Sequence, residues 1–358
     1  MPKSSIDHSS PVIFSSLAES PLQQLLDTEF VHSKKVIIVD ENTNEFCLEY
    51  LLTSITGLEY AEVMMLPAGE ENKVLEICFQ VWEALTEYGI GRKDLIINLG
   101  GGVVTDTGGF IAAVFKRGVP FLHIPTSLLG MVDAAIGGKT GIDLGPYKNQ
   151  LGTFSMPEMT IVDTAFLGTL PQEEVLNGFA EMVKHALIAD IELWNAFLQL
   201  ERIEANELMP FIEKSAAIKM QIVTEDPTEA GQRKLLNFGH TVGHALEGCF
   251  LSTETPISHG LAVVLGMIAE VHLSVELGYL SSHDQELIVS SLIKWFPLIN
   301  IPVFENEQVI QLMKNDKKNS ENKIKAALLK KTGKGIFDQI STDEGILSAL
   351  DYLRQHIN

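Results

Sequence analysis

Cysteine is scarce in this sequence. Only Cys47, Cys78 and Cys249 occur among the 358 residues, and no two of them form a CxxC pair. This spacing supports neither a disulfide framework nor a thiolate metal site, and it is typical of proteins in a reducing compartment. We therefore expect a cytoplasmic protein.

A long uninterrupted apolar run is also missing. The most apolar stretch, residues 95–115, is broken by Asp106 and by several glycines. A membrane helix needs about 20 predominantly apolar residues, whereas this pattern is typical of a strand, a turn and a helix. The first sixteen residues lack the apolar segment of a signal peptide. We expect neither a membrane span nor a membrane partner.

Positive charge is limited. The 26 lysines and arginines face 47 aspartates and glutamates, which gives a net charge of −21. This excess argues against nucleic acid and anionic membranes as partners. A phosphorylated small molecule would also be repelled at long range, so its site would have to concentrate cations. The positions of the lysines are therefore informative.

Short apolar runs alternate with helical patterns in the first half of the chain. The runs cover residues 36–40, 61–66, 95–99, 121–125 and 159–163. This alternation predicts an α/β domain with a mostly parallel, Rossmann-like sheet over residues 1–170. Later helical patterns near residues 171–188, 204–224, 233–249, 260–277, 283–295 and 344–355 predict a predominantly α-helical domain over residues 171–358. We expect the active site in the interdomain cleft.

A glycine-rich turn follows one of the predicted strands. The segment GGGVVTDTGG at 100–109 opens into a helix, whose N-terminus can bind a diphosphate. It is not the GxGxxG fingerprint, but Asp106 inside it could accept a hydrogen bond from a ribose or nicotinamide group. A second glycine turn at 67–73 offers Glu70 and Lys73. Either turn could instead be purely structural.

Residues 132–150 form a second glycine-rich segment, VDAAIGGKTGIDLGPYKNQ. Asp133, Lys139, Lys148 and Asn149 lie in it with little apolar periodicity. Two lysines in a glycine loop of so acidic a protein indicate an anion site. A solvated surface loop is the alternative.

Two predicted helices carry further candidates. Glu181, Lys184 and His185 share a face, although a surface ion pair would explain the first two equally well. If residues 233–247 form one helix, a stripe of polar side chains lies within about 60° on its surface: Arg233, Asn237, His240 and His244. With His259 nearby, this stripe indicates a divalent metal such as zinc. Spacing by itself favours His240 and His244 as joint ligands, and the absence of HExxH argues against a zinc protease.

These segments together resemble the 3-dehydroquinate synthase family of sugar phosphate cyclases. Between residues 67 and 335 the family's motifs occur in order: GGGVVTD, KRGV, PTSLL, VDAAIGGKTG, KNQ, LPQEE, AEMVKH, LLNFGHTVGHALE, SHG and DKKN. Two positions depart from the family pattern. Leu261 stands where the family usually has glutamate, and Ser127 replaces a second threonine but keeps a hydroxyl.

The resemblance implies NAD in the first domain, and a divalent metal and substrate in the second. The metal is zinc, with cobalt as the alternative, on Glu181, His240 and His259. The implied NAD positions are Asp40, Gly69, Glu70, Lys73, Gly101, Gly102, Val103, Asp106, Thr126, Ser127, Lys139, Lys148, Phe166, Leu167, Gly168 and Thr169. The implied substrate positions are Arg117, Asp133, Lys139, Asn149, Lys184, Lys219, Arg233, Asn237, His244, Lys317 and Lys318.

The implied activity is that of a phosphate-eliminating lyase of the shikimate pathway, and hence of aromatic amino acid biosynthesis. Glu229, His244 and Lys184 are the implied catalytic residues. Arg117 corresponds to a residue that reaches the neighbouring subunit's site, which implies a homodimer. The implied substrate is a phosphorylated seven-carbon sugar acid, 3-deoxy-D-arabino-heptulosonate 7-phosphate, which is converted to 3-dehydroquinate with transient oxidation by NAD.

Three other functions compete with this hypothesis. A metal-dependent alcohol or glycerol dehydrogenase would share the layout, but a neutral polyol would not require the cations Lys139, Lys148, Lys219, Arg233 and Lys318. Another sugar phosphate cyclase, making a valiolone or an inosose, is less consistent with Asn237 and His244. A catalytically silent binding protein would not need the complete set of metal ligands.

Overall fold

The computed structural model of the chain describes residues 10–145, 147–250, 256–298, 301–315 and 324–357. The chain divides into two compact units, Met1–Val175 and Leu176–Asn358. Two of the predicted substrate positions, Lys317 and Lys318, lie outside the described residues.

The first unit is built on a parallel sheet. Its strands are β1 (Val12–Phe14), β2 (Lys35–Asp40), β3 (Glu62–Leu66), β4 (Leu95–Gly100), β5 (Phe121–Pro125), β6 (Lys139–Leu144), β7 (Tyr147–Phe154) and β8 (Thr160–Val162). Six of them form a sheet in the order β1-β8-β5-β4-β2-β3, with every neighbouring pair parallel. The predicted Rossmann-like sheet is confirmed, and each predicted run matches a strand. The short edge strand β1 was not predicted.

In the described part of this unit the α-helices before residue 172 are α1 (Leu22–Thr28), α2 (Glu41–Phe46), α3 (Leu48–Ser54), α4 (Leu75–Glu87) and α5 (Gly102–Val114). Val36, Ile38 and Ile96 of the sheet share a buried core with Cys78 of α4 and Ile111 of α5. Strands buried on both faces read as continuous apolar runs, which explains why they were visible in the sequence.

The predicted loop at residues 132–150 is wrong over most of its length. Strands β6 and β7 form an antiparallel hairpin, in which Gly141 faces Gly152. A Cβ on Gly141 would lie 2.8 Å from the carbonyl oxygen of Leu151, so the glycines that suggested a loop permit close pairing of the two strands. Ile142 belongs to the same core as α5. The hairpin therefore holds its lysines on a regular, packed element.

His123 lies in β5 with 3% of its surface exposed. Its Nδ1 lies 3.2 Å from Nδ2 of Asn98, which can only donate, so Nδ1 accepts and Nε2 carries the ring hydrogen. Burial lowers the pKa of His123 from 6.5 to about 3. The imidazole is thus neutral in the folded chain.

This burial predicts a pH dependence of stability. The unfolded chain binds a proton at His123 below its ordinary pKa of 6.5, whereas the folded chain does not until about 3. The free energy of unfolding should therefore fall by about 2 kcal/mol through this residue between about pH 7 and about pH 5. We expect the free energy of unfolding, measured by urea denaturation, to fall less between these two pH values in His123→Gln than in the wild type. The exposed His32, changed to glutamine, is the control, and equal losses in wild type and His123→Gln would contradict the expectation.

The second unit is predominantly α-helical, as predicted. Its helices are most of α6 (Gln172–Ala189), then α7 (Ile191–Phe197), α8 (Ala205–Glu225), α9 (His240–Phe250), α10 (His259–Glu276), α11 (Ser282–Trp295), α12 (Asn306–Asn315) and α13 (Asp343–Ile357). An antiparallel hairpin of β9 (Ile324–Lys331) and β10 (Lys334–Ser341) was not predicted. An aromatic cluster in the core joins Phe179 of α6 to Phe197 and Trp295 at ring distances of 5.2 and 5.4 Å.

One helix, α10, is long and apolar enough by length and composition to cross a membrane, and 72% of the stretch is buried inside the protein. Within the described ranges it is the one helix with these properties. Its apolar side chains pack in the interior of the second unit, as in the core helix of a globular protein.

The continuous helix predicted over residues 233–249 is wrong. Residues Gln232–Asn237 form a 3-10 helix, and α9 begins only at His240. Gly239 between them has φ +80°, and a Cβ there would lie 2.8 Å from the carbonyl oxygen of Val263 in α10. Close packing against α10 thus breaks the helix. Arg233 and Asn237 do not share a helical face with His240 and His244.

Candidate active site

The glycine turns of the first unit meet at one edge of the sheet. Carboxyl ends of parallel strands lie together, and ligands of such sheets bind there. Gly101 follows β4 and precedes α5, and the N–H of Thr126 after β5 donates to the carbonyl oxygen of Gly100 at 3.0 Å. A Cβ on Gly101 would lie 3.1 Å from Oγ of Ser127. This edge is a backbone cradle that a larger residue would fill.

Two aspartates at the ends of strands β2 and β8 accept hydrogen bonds from the turns that follow these strands. Asp40 ends β2 and caps α2, since its Oδ1 accepts from the N–H of Thr43 at 2.7 Å. Asp163 follows β8 and accepts from Tyr50 Oη at 2.8 Å and from the N–H of Ala165 at 3.0 Å. These bonds hold the 3-10 turn Thr164–Thr169, which contains all four predicted NAD positions after β8. The ring of Phe166 packs edge-on against Tyr50 at 5.3 Å.

A buried lysine ties three elements together at this edge. Nζ of Lys73 donates to Oδ2 of Asp106 at 2.7 Å and to Oδ1 of Asn149 at 2.8 Å. Burial opposes its charge, but Asp106, Glu70 and Asp143 raise the pKa of Lys73 above its ordinary value. The predicted cofactor residues Lys73 and Asp106 and the predicted substrate residue Asn149 are therefore in direct contact.

The hairpin presents Lys148 and Asn149 in a constrained conformation. Asn149 has φ +51°, and its N–H donates to Oδ1 of Asp143 at 2.6 Å. Nζ of Lys148 donates to Oε1 of Glu70 at 2.8 Å. A positive φ outside glycine costs about 1 kcal/mol or more and is concentrated at functional sites. Lys139, at the start of β6, is exposed.

A carboxylate and two imidazoles converge in the second unit. Oε1 of Glu181 lies 3.4 Å from Nε2 of His240 and 3.2 Å from Nε2 of His259. One potential ligand atom from each of the three lies within 4.8 Å of the others. One carboxylate oxygen and two imidazole nitrogens are a common donor set for zinc, and three ligands leave a coordination position open. This is the cluster that the family resemblance implied.

Hydrogen bonds orient both imidazoles. Nδ1 of His240 lies 3.1 Å from the carbonyl oxygen of Phe238, to which it can only donate, so Nε2 keeps its lone pair. Nδ1 of His259 lies 3.5 Å from Oε2 of Glu247. His259 opens α10, where Oδ1 of Asn177 accepts from the N–H of Gly260 at 3.0 Å. Both Nε2 atoms are thus turned toward Glu181.

The electrostatics of this cluster favour positive charge. Burial opposes ionisation of Glu181, but Lys184 and His240 hold the pKa of its carboxyl well below the usual range. Burial opposes the charge on His259, but hydrogen bonds to Glu181 and Glu247 raise the pKa of its imidazole to about 10. Burial lowers the pKa of His240. The buried carboxylate of Glu181 therefore stays ionised and is available to a cation.

The surface ion pair that could have explained Glu181 and Lys184 is excluded. Glu181 is 0% and Lys184 1% exposed, and they form a salt bridge inside the protein. His185 is also buried and contacts Oγ of Ser215 at 2.9 Å. Three buried polar residues on one helix require partners, and a charge in the interior is rarely placed there without a role.

His244 lies beside the metal-ligand candidates. Its ring is 4.9 Å from the ring of His240 and 5.9 Å from that of His259. The pair His240 and His244, which spacing alone favoured, does not share a ligand group among the described residues. His244 instead belongs to a second possible group with Glu247 and His259. Both groups require His259.

The remaining predicted residues of this unit are buried or partly buried. Arg233 is 1% exposed, and its Nη1 donates to the carbonyl oxygen of Pro227 at 2.6 Å. Nδ2 of Asn237 donates to Oε1 of Glu229 at 2.8 Å. Glu229 has φ +62°, a left-handed conformation that is uncommon for glutamate. Lys219 in α8 is buried.

Three carboxylates were missed by sequence reasoning: Asp143, Glu247 and Glu270. Glu247 had a signal, because it lies three residues after His244 and seven after His240 on the same helix. Glu270 is a charged residue inside the apolar run of α10, which is itself a sign of a buried partner. Nothing in the sequence separates Asp143 from an ordinary polar residue of a loop.

Two family models match the chain. The one described as 3-dehydroquinate synthase N-terminal covers residues 63–177, and the one described as C-terminal covers residues 178–319. The chain belongs to the 3-dehydroquinate synthase family. A curated family member from Parabacteroides distasonis is 38% identical over 339 residues, which span 94% of this chain and 96% of that protein. A family member from Pyrococcus furiosus is 39% identical over 319 residues, which span 89% of this chain and 92% of that protein. The resemblance read from the motifs is confirmed.

Solved structures support the fold. A 2-epi-5-epi-valiolone synthase from Streptomyces hygroscopicus subsp. jinggangensis, with NAD+ and Zn2+ bound, superimposes with a TM-score of 0.84 at 26% identity, over 99% of each chain. A probable glycerol dehydrogenase from Sinorhizobium meliloti gives a TM-score of 0.61 at 12% identity, over 97% of each chain. The second likeness concerns the fold alone.

Proposed function

We propose that this chain is a 3-dehydroquinate synthase. It converts 3-deoxy-D-arabino-heptulosonate 7-phosphate into 3-dehydroquinate and inorganic phosphate, the family's step in the shikimate pathway. The observation that carries the proposal is the cluster of Glu181, His240 and His259, whose ligand atoms lie within 4.8 Å of one another in a chain of this family.

We assign the divalent metal to this cluster. Its donor set of one carboxylate and two imidazoles suits zinc, with cobalt as the alternative. The metal would polarise a substrate hydroxyl. Lys184 lies against Glu181, so it holds the carboxylate charged and in place.

We assign NAD+ to the sheet edge formed by the glycine turns. The Gly101 cradle and the start of α5 suit a diphosphate, and Asp106 offers an acceptor to a ribose or nicotinamide group. NAD+ would supply reversible hydride acceptance. Lys73 holds Asp106 by a 2.7 Å hydrogen bond, and therefore orients its carboxylate.

Proton transfer falls to His244 and Glu229. His244 lies beside both imidazoles of the metal cluster, and a histidine outside the metal shell can accept and donate a proton near neutral pH. Glu229 is held in an uncommon backbone conformation and by Asn237, which fixes the direction of its carboxylate. Arg233 offers a guanidinium for the substrate carboxylate.

The substrate phosphate is held by Lys139 and Asn149 of one chain and by Arg117 of a second. Arg117 follows α5 and precedes β5, at the amino ends of the parallel strands. A helix of 13 residues is about 20 Å long, so this chain's Arg117 lies across the sheet from its own glycine turns. Arg117 is exposed and has φ +65°. We therefore propose that the protein is a homodimer. We also propose, from the scarcity of cysteine, that it is located in the cytoplasm.

The proposed reaction predicts that NAD+ is required but not consumed. Purified protein with zinc, NAD+ and the heptulosonate phosphate should release phosphate while absorbance from NADH stays constant. Stoichiometric accumulation of NADH would identify a dehydrogenase and overturn the proposal. Mass spectrometry of the product separates 3-dehydroquinate from a valiolone or an inosose, and absence of phosphate release would leave only a binding protein.

A further inference from the structure

A carboxylate from α10 lies at the start of the helix that carries His240. Glu270 is fully buried, with 0% of its surface exposed. Its Oε2 accepts from the N–H of Gly239 at 2.7 Å, and its Oε1 accepts from the N–H groups of Thr241 and Val242 at 3.0 and 3.1 Å. Both oxygens therefore accept, as in an ionised carboxylate, and the three donors surround His240 in sequence.

The start of α9 needs such an acceptor. The first N–H groups of a helix have no partner within the helix and are usually satisfied by a side chain of the N-cap residue. Here the preceding residue is Gly239, which has no side chain and whose Cβ position is closed by Val263. Glu270 supplies the missing acceptor from a neighbouring helix. Its negative charge also matches the positive end of the helix dipole.

The place of His240 depends on this contact. His240 is the first residue of α9, and its Nδ1 is directed by the carbonyl oxygen of Phe238, one residue before Gly239. The 3-10 helix ends at Asn237 and holds Phe238 through a hydrogen bond from its N–H to the carbonyl oxygen of Leu235 at 3.0 Å, so Gly239 is the residue that joins this turn to His240. The hydrogen bonds of Glu270 to Gly239 and Thr241 fix the backbone on both sides of His240.

We propose that Glu270 is a positioning residue of the metal site, which holds Nε2 of His240 opposite Glu181 by fixing the backbone from Gly239 to Val242. The inference rests on the proposed function, because it presumes that Glu181, His240 and His259 bind the metal. Outer contacts of this kind typically change metal affinity by about 10- to 100-fold when they are removed.

The test measures zinc affinity rather than activity alone. In Glu270→Gln one amide N–H2 would face backbone N–H groups, so the contact should loosen. We expect zinc affinity, measured by chelator competition well below the melting temperature, to fall about 10- to 100-fold. The cobalt-substituted variant should also show altered visible absorption bands, because the donor geometry at His240 changes.

A matched control comes from the same helix. Ser274 is fully buried one turn further along α10, and its Oγ accepts from the N–H of Leu329 at 3.1 Å. Ser274→Ala should lower the melting temperature by leaving that donor unsatisfied, but keep wild-type zinc affinity and cobalt spectrum. This separates a general loss of stability from a loss of positioning.

Wild-type zinc affinity and cobalt spectrum in folded Glu270→Gln overturn the inference and leave the proposed function intact. Absence of zinc binding in the wild type overturns both. Glu270→Asp keeps the negative charge but shortens the side chain by one methylene group. Its zinc affinity should therefore fall less than that of Glu270→Gln. If only this second variant folds, unchanged affinity in it overturns the inference.

Discussion

Replacing His259 by alanine is expected to leave the purified protein with little zinc, whereas His244→Ala should retain zinc and lose most of its turnover. Of the possible ligand groups, those that contain His240 or His244 both include His259, while the cluster of Glu181, His240 and His259 does not need His244. Loss of the metal removes several kcal/mol of transition-state stabilisation, on the order of 10³-fold in rate. Loss of an acid–base group costs about 10²- to 10⁴-fold with the metal still bound.

Metal analysis and turnover of the two variants decide this expectation. His283, an exposed residue of α11, provides the control, since His283→Ala should match the wild type in both measurements. The physical reason for the split is coordination number: three ligands leave a position for substrate hydroxyls, and a fourth would tend to close it. Zinc absent from His244→Ala and retained in His259→Ala would reverse the assignment.

The second large effect is expected at Lys139. Its side chain is exposed on β6, next to the buried Thr140, so Lys139→Ala should change the free energy of unfolding by less than about 0.5 kcal/mol. A charge-assisted hydrogen bond to an anion contributes about 1.5–3 kcal/mol, and each such bond corresponds to about 10- to 100-fold in kcat/KM. We therefore expect a large loss of activity with little change in melting temperature.

The control for Lys139 is an exposed lysine on another hairpin. Lys331→Ala, in β9, removes the same charge from the surface of a strand in the second unit and should leave kcat/KM unchanged. An unchanged rate in Lys139→Ala, or a collapse of its melting temperature, would contradict a phosphate-binding role.

The sheet of the first unit was predictable because its central strands β2, β4 and β5 are buried on both faces. Runs such as residues 36–40 and 121–125 contain almost only apolar residues, and both became strands of the parallel sheet. Most helices after residue 200 were predictable because apolar periodicity records the buried face, although α12 was not predicted. The metal-ligand set was also foreseen, but through family motifs, because Glu181 and His240 are far apart in sequence.

The break between Asn237 and His240 could not be predicted from the sequence. Leucines, histidines and an intervening glycine fit a helix equally well, and one glycine costs a helix only about 1 kcal/mol. The helix is broken because α10 packs closely against this point. Its carbonyl oxygen at Val263 leaves room for no side chain at position 239, so only glycine fits there. The hairpin of β6 and β7 was hidden in the same way, because glycines that pair closely resemble glycines of a loop.

The sequence by itself determined the class of each unit, the order of its main elements and the residue types available for metal, nucleotide and anion. Those depend on periodicity and composition, which are local properties. Only the tertiary structure decided which nitrogen of His240 faces Glu181, that Lys73 joins Asp106 to Asn149, and that Glu270 supplies the cap of α9. These contacts join residues 28 to 76 positions apart or depend on a backbone conformation set by a neighbouring helix, and a local pattern carries no record of them.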